Sequence, residues 1–158
     1  MKLYPDAKAY ALTGVILLLA GCGGSPAKTS QVTYENTIKK LVSAKCSNCH
    51  GANAPSMEDY KKDKETYKKN LLGPRMDSYE SLMVMVNGSD TGAIMRRLDD
   101  GASTKDGKPG NMHTYLGSDD AERATNLNLF KRWVGSWNLK RSSEISEEEK
   151  KAVLAPRG

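Results

Sequence analysis

From Ala9 to Gly21 the chain reads AYALTGVILLLAG, its longest apolar run, and beyond it apolar residues come singly or in short runs. Tyr34, Ile38, Leu41 and Val42 fall at helical spacing, so the pattern predicts a helix with one apolar stripe running into the stretch CSNCH, residues 46–50. Residues 57–70, MEDYKKDKETYKKN, mix five lysines with acids and predict an exposed helix with little to bury. In DSYESLMVMVNG, Asp77 and Glu80 occupy capping-box positions, Tyr79, Leu82, Met83 and Val86 share a face, and Gly88 marks the stop. GAIMRRLDDG predicts a further turn or two, whereas the Gly and Pro content of ASTKDGKPGN forbids regular structure. Ser118, Asp119 and Asp120 cap a last long helix, with Leu127, Phe130, Val134 and Trp137 as its stripe and Trp133 at the border. Residues 140–158 are highly charged and predict a peripheral helix near 146–154 or a partly disordered tail. No segment reads convincingly as a strand, and the fold class expected is all-α.

The apolar run at the N-terminus changes the setting of everything after it. Lys2 and Lys8 precede it, and it falls short of the roughly 20 apolar residues that span a bilayer as a helix. A basic start and a short apolar core are the pattern of a secretory signal. The run ends in LAGC, which resembles the lipobox of bacterial lipoproteins, so residues 1–21 are expected to be cleaved and Cys22 to carry lipid; the alternative is an ordinary signal peptide with an incidental Cys22. Gly23 follows Cys22 where some bacteria carry a retention Asp, which points to the outer membrane, facing the periplasm. Residues 22–33, rich in Gly, Ser and small side chains, read as a flexible tether. Of the 24 basic and 19 acidic side chains, cleavage removes Lys2, Lys8 and Asp6, leaving a formal charge of +4 on 137 residues, the size of one domain. Export argues against nucleic acid as a partner.

With Cys22 lipidated, Cys46 and Cys49 are the remaining thiols, and they face an oxidising compartment. A disulfide, a redox dithiol, a zinc site and haem attachment all use such a pair. Zinc needs about four ligands, which Cys46, Cys49, His50 and the distant His113 would have to supply. A dithiol of the thioredoxin kind needs strands around it. C-x-x-C-H is the attachment sequence of c-type haem. Two thiols three positions apart on one turn can form thioethers to the two vinyl groups of a porphyrin, and the imidazole of His50 then faces the iron as proximal ligand. With no second such motif, one haem is expected per chain, and it would supply the core that a single Phe and two Trp cannot.

From Tyr34 to Trp137 the order of parts resembles a class I c-type cytochrome: helix, C-x-x-C-H, a mid-chain helix, a methionine loop and an aromatic C-terminal helix. The resemblance implies a cytochrome domain over 34–139 around one covalently bound haem c. It implies that the first and last helices cross through Tyr34, Ile38, Phe130 and Trp133, and that the carbonyl of Pro74, after Gly73, accepts a hydrogen bond from Nδ1 of His50. A proline in an ordinary turn is the alternative for Pro74. The segment from His50 to GPRM is longer than the family's, through the lysine-rich insertion. The family's sixth iron ligand is a loop methionine, and Met112 in GKPGNMHTYLG has that placement; His113, standing where the family usually has Pro, and Met95 are the alternatives. Met83 reads as core, Met85 falls off the stripe, and Met57 and Met76 sit too near the proximal side. The function implied is one-electron transfer between larger redox proteins at an envelope membrane, with no residue acting as acid or base. A haem enzyme or gas sensor with an open sixth position, or a subunit of a larger electron-transfer complex, are the competing classes. Lys61, Lys62, Lys64, Lys68 and Lys69 are either a docking face or a solvated insertion.

Overall fold

The computed structural model describes residues 31–158, so the signal peptide, Cys22 and most of the expected tether lie outside it. Among the described residues every regular element is helical. The fold begins at Thr33, whose hydroxyl accepts from the Asn36 N–H while its own N–H donates to Asn36 Oδ1, a reciprocal cap at 3.2 and 2.9 Å. Val32 and Thr33 are buried and belong to the folded body. From this cap a π-helical turn, Tyr34–Ile38, leads into α1, Lys39–Lys45, and then α2, Ser47–His50. Tyr34, Ile38, Leu41 and Val42 are all buried, as their spacing predicts.

The next elements depart from the sequence expectation in detail. The lysine-rich stretch forms two helices, α3 (Met57–Lys62) and α4 (Lys64–Lys69), because Asp63 leaves the helix and its carboxylate caps the Thr66 N–H. Neither buries a residue. Helix α5 (Tyr79–Val86) is capped by Ser78 with Ser81, and not by Asp77 with Glu80. Its buried face is Leu82, Met85 and Val86, while Met83 is half-buried. LMVMV is apolar all round, so periodicity could not set the phase of that face. Helix α6 (Ala93–Leu98) buries Ile94, Met95 and Leu98, and a 3-10 turn, His113–Leu116, follows the long loop.

Helix α7 (Asp120–Val134) starts after Asp119, one residue beyond the expected Ser118 cap. It packs Leu127, Phe130, Trp133 and Val134 inward, and its aromatic end crosses the start of the first helix. Ring centroids stand 6.5 Å apart for Tyr34 with Trp133, 6.5 Å for Phe130 with Trp133 and 5.5 Å for Tyr34 with Tyr79. Trp133 borders the stripe by spacing but is fully buried at this crossing, where the family resemblance places it, and truncating so large a side chain there costs about 3–5 kcal/mol. Trp137 lies beyond the helix, which ends at Gly135 with φ of +76°.

The charged tail holds a helix where one is expected near 146–154, but the residues on either side of it are packed into the fold. Ile145 is buried, α8 (Glu147–Lys151) is capped by Ser146, and residues 153–157 return along the helix crossing. The N–H groups of Leu154 and Ala155 donate to the Val134 and Trp133 carbonyls at the end of α7, both at 2.9 Å. Carbonyls of Pro156 and Arg157 accept from the Tyr34 and Glu35 N–H groups, again at 2.9 Å, and Pro156 also takes Trp133 Nε1. A helix leaves such terminal groups unsatisfied, and here one strap satisfies both helices of the crossing. These are backbone bonds, which side-chain composition does not announce.

A second tie joins the far ends of the two helices. Lys45, at the end of α1, donates to Glu122 in the first turn of α7, and Ser118 adds its N–H at 2.7 Å and hydroxyl at 3.0 Å. Lys45 and Ser118 together draw the Glu122 carboxyl down to about 2 from an ordinary 4.5. A carboxylate depressed by folding stabilises fully above its unfolded value and loses that contribution as pH falls through the folded one. Glu122→Gln should therefore flatten the fall of stability between about pH 4.5 and 2, read from denaturant midpoints across that range. An unchanged acid limb would show that solvent screens the pair completely.

Candidate functional site

Cys46 breaks the first helix with φ of −120°, and its carbonyl then accepts from both the Cys49 and His50 N–H groups, at 3.2 and 2.9 Å. That turn gathers two thiols and an imidazole. Both thiols are free; Cys46 is half-buried against the core and Cys49 is exposed. Burial, with the Cys49 thiol close by, pushes the Cys46 thiol up to about 11.

His50 is held from two sides. Its Nδ1 lies 2.7 Å from the Pro74 carbonyl, which can only accept, so Nδ1 carries a proton and, in the neutral ring, the lone pair is on Nε2. Gly73 sits directly against the ring, where a Cβ would come within 2.0 Å of Cε1 and 2.5 Å of Nδ1. No side chain fits there. The segment carrying Gly73 and Pro74 is itself laced to α2, since the Gly73 N–H donates to the Cys49 carbonyl at 2.9 Å and the Met76 N–H to the His50 carbonyl at 2.8 Å. Arg75 extends the seam, its N–H reaching the Pro55 carbonyl at 2.8 Å and its guanidinium the Ala52 and Ala54 carbonyls at 2.6 and 3.2 Å. The lysine-rich helices α3 and α4 leave the chain after this seam opens and return before it closes. An insertion there lengthens a surface loop without touching the histidine clamp.

That insertion is also less basic than it reads. Lys61 pairs with Asp90 at 2.6 Å, Lys62 with Glu58 and Asp59 at 3.0 and 3.1 Å, and Lys68 with Glu65 at 2.9 Å. Such local pairing favours a solvated surface over a steering patch.

The methionine loop is fixed by the C-terminus of α6. Three successive carbonyls there accept from the loop: Arg97 from the Met112 N–H at 2.9 Å, Leu98 from His113 Nδ1 at 3.1 Å, and Asp99 from the Gly110 N–H at 2.8 Å. Gly110 is required by this approach, because a Cβ would lie 2.3 Å from the Arg97 oxygen. The loop's far end is tied to α7 by Asn126, whose amide donates to the Leu116 carbonyl at 2.6 Å. Met112 is half-buried against the same core as Cys46. Met95 is fully buried in α6, and Met76 and Met85 are core residues, Met85 contrary to its expected position off the stripe. His113, with Nδ1 engaged, also retains a free Nε2. Sequence reasoning did not single out Arg75, Gly110 or Asn126, since each acts on a carbonyl distant in sequence. Asp99 was missed as well, although Asp-Asp-Gly directly after a helix is an Asx-turn signal.

The donor set suits a haem of the c type: two free thiols on one turn, an imidazole with its ring fixed and Nε2 available, and a thioether on a second segment of the same core. Among the described residues no three His, Cys, Asp or Glu side chains gather at a point, as a zinc site would need.

Comparison with known proteins agrees with the chemistry. Residues 33–153 match the family described as PccH cytochrome c. Among solved structures, the monoheme cytochrome PccH from Geobacter sulfurreducens is 45% identical, with a TM-score of 0.76 over 80% of this chain and 99% of that one. No curated protein matches. With the family match covering the folded body from the Thr33 cap to α8, the chain belongs to the PccH cytochrome c family, a class I monohaem c-type cytochrome with one covalently bound haem c and a role in electron transfer.

Proposed function

We propose that the protein is a one-electron carrier of a bacterial envelope, anchored to the membrane through lipid on Cys22 and exchanging electrons with other redox proteins. Cys46 and Cys49 would hold the haem through thioethers, His50 would be the proximal iron ligand and Met112 the distal one. The haem iron, when bound, supplies the chemistry by gaining and losing one electron. The observation that carries this reading is the clamp on His50: a 2.7 Å hydrogen bond from Nδ1 to the Pro74 carbonyl, with Gly73 packed against the ring. It fixes the tautomer and aim of Nε2 and raises the basicity of the ring as a ligand. Rigid ligands suit a carrier, because small movement on electron transfer keeps reorganisation small. No side chain of the site has to move a proton. Met112 is favoured over Met95 because it lies on a loop beside the core, while Met95 is interlocked within it at zero exposure. A thioether distal to an imidazole raises the potential relative to a second imidazole.

Two measurements test the parts. In haem-loaded protein, Met112→Ala should abolish the weak long-wavelength sulfur-to-iron band and let the reduced form bind carbon monoxide, whereas His113→Ala should leave both unchanged. A parent that lacks the band and binds carbon monoxide only after His113→Ala assigns the role to His113, and a band that survives both changes assigns it to Met95. Rapid, complete carbon monoxide binding by the unaltered protein would contradict the carrier reading and favour an open-site haem protein. For the anchor, Cys22→Ser should release the protein from the membrane fraction of fractionated cells. Retention of that variant on membranes would refute lipidation at Cys22. Several acyl chains, as a bacterial lipoprotein carries, give stable attachment where one is marginal. Gly23 after Cys22 favours the outer membrane.

A further inference from the structure

Asp99 is the one carboxylate among the described residues that is fully withdrawn from solvent, at 0% exposure. Burying an anion is costly unless donors surround it. Here Oδ1 accepts from the Gly101 and Ser103 N–H groups at 2.9 and 3.2 Å, and Oδ2 from Trp137 Nε1 at 2.8 Å. Burial alone would raise the Asp99 carboxyl, but the bonds from Trp137, Ser103 and Gly101 outweigh it and hold the group below the ordinary carboxylate range. Trp137 is itself seated, with the Lys131 ammonium 5.7 Å from its ring centroid. The backbone carbonyl of Asp99 meanwhile takes the Gly110 N–H at 2.8 Å. One residue thus joins the end of α6, both ends of the 101–110 loop and the chain beyond α7. Arg96, one turn earlier, binds the Leu139 and Lys140 carbonyls of that same post-helix segment at 3.1 and 2.6 Å.

We propose that Asp99 is a positioning residue for the distal iron ligand, a clamp that holds the loop so that Met112 stays in register with the Arg97 carbonyl. The proposal rests on Met112 being that ligand. The loop has no regular structure of its own, being rich in Gly and Pro, and Met112 lies two residues after Gly110. With the clamp open, the bonds from Gly110 to Asp99 and from Met112 to Arg97 lose the anchor that aligns them, and the Met112 sulfur leaves its position for part of the time. Nothing in the side chain of Asp99 has to touch the haem for this. Its effect is on how often the distal position is vacant.

The decisive variant is Asp99→Asn, which keeps the shape. Turned either way, its amide NH2 faces a donor, Trp137 Nε1 on one side or the two backbone N–H groups on the other. Trp137→Phe keeps an aromatic ring and removes a single donor. In full-length, haem-loaded protein, Asp99→Asn should speed carbon monoxide binding to the reduced form by roughly tenfold or more and weaken the sulfur-to-iron band. It should also speed hydrogen exchange at the Gly110 and Met112 amides, with helical circular dichroism unchanged. Trp137→Phe should act in the same direction with smaller size, and it decides the matter if Asp99→Asn does not accumulate. Glu122→Gln, which loosens the opposite helix junction, should change none of the three. If Asp99→Asn and Trp137→Phe merely lower the melting temperature while band, carbon monoxide kinetics and loop exchange match the parent, the clamp is overturned. Met112→Ala separates the two claims: if it removes the band while Asp99→Asn has no effect, only the clamp falls, and if it leaves the band intact, the clamp and the Met112 assignment fall together.

Discussion

The hydrogen bond from His50 to the Pro74 carbonyl is the contact around which the rest is arranged. An imidazole on a four-residue helix would otherwise be free to rotate and to carry its proton on either nitrogen. The carbonyl removes the tautomeric choice, and Gly73 removes the rotational one by leaving the ring no space. Both depend on the seam that ties residues 73–76 to the end of α2 through the Cys49 and His50 carbonyls. The same peptide groups that finish the helix therefore place the groups that fix its histidine.

This economy recurs across the molecule. Its helices are short, and short helices have a large share of unsatisfied terminal groups. The carbonyls ending α6 are met by the methionine loop, those ending α7 by the strap at 154 and 155, and the N–H groups opening the first helix by the strap at 156 and 157. Each closure brings together segments far apart in sequence. A protein with one Phe and two Trp to bury gains order from these bonds that its apolar core does not supply alone.

What could be read from sequence follows from this division. The stripe Tyr34, Ile38, Leu41 and Val42 was legible because its back is polar, and the C-x-x-C-H motif because its chemistry is local. Gly73 and Pro74 were reached through family resemblance, and the contact to His50 is present in the structure. The face of α5 was not legible, since LMVMV gives no polar side to orient it. Nor was the tail: charge spacing marks 140–158 as solvent-facing, and its side chains largely are, but its backbone closes the helix crossing. Asp99 and Arg75 were hidden for a related reason, as their partners are backbone groups and one indole brought near by the fold.

The clamp on His50 is open to direct observation. In the reduced, low-spin form the protein is diamagnetic, so nuclear magnetic resonance of haem-loaded protein labelled with nitrogen-15 in histidine and carbon-13 in the proline carbonyl can report the ring nitrogens separately. A Nδ1–H proton that exchanges slowly with solvent and shows scalar coupling across the hydrogen bond to the Pro74 carbonyl carbon is the expected result, with Nε2 unprotonated. A Nδ1 proton exchanging at the solvent rate, or a proton on Nε2, would contradict the clamp and with it the orientation of the proximal ligand.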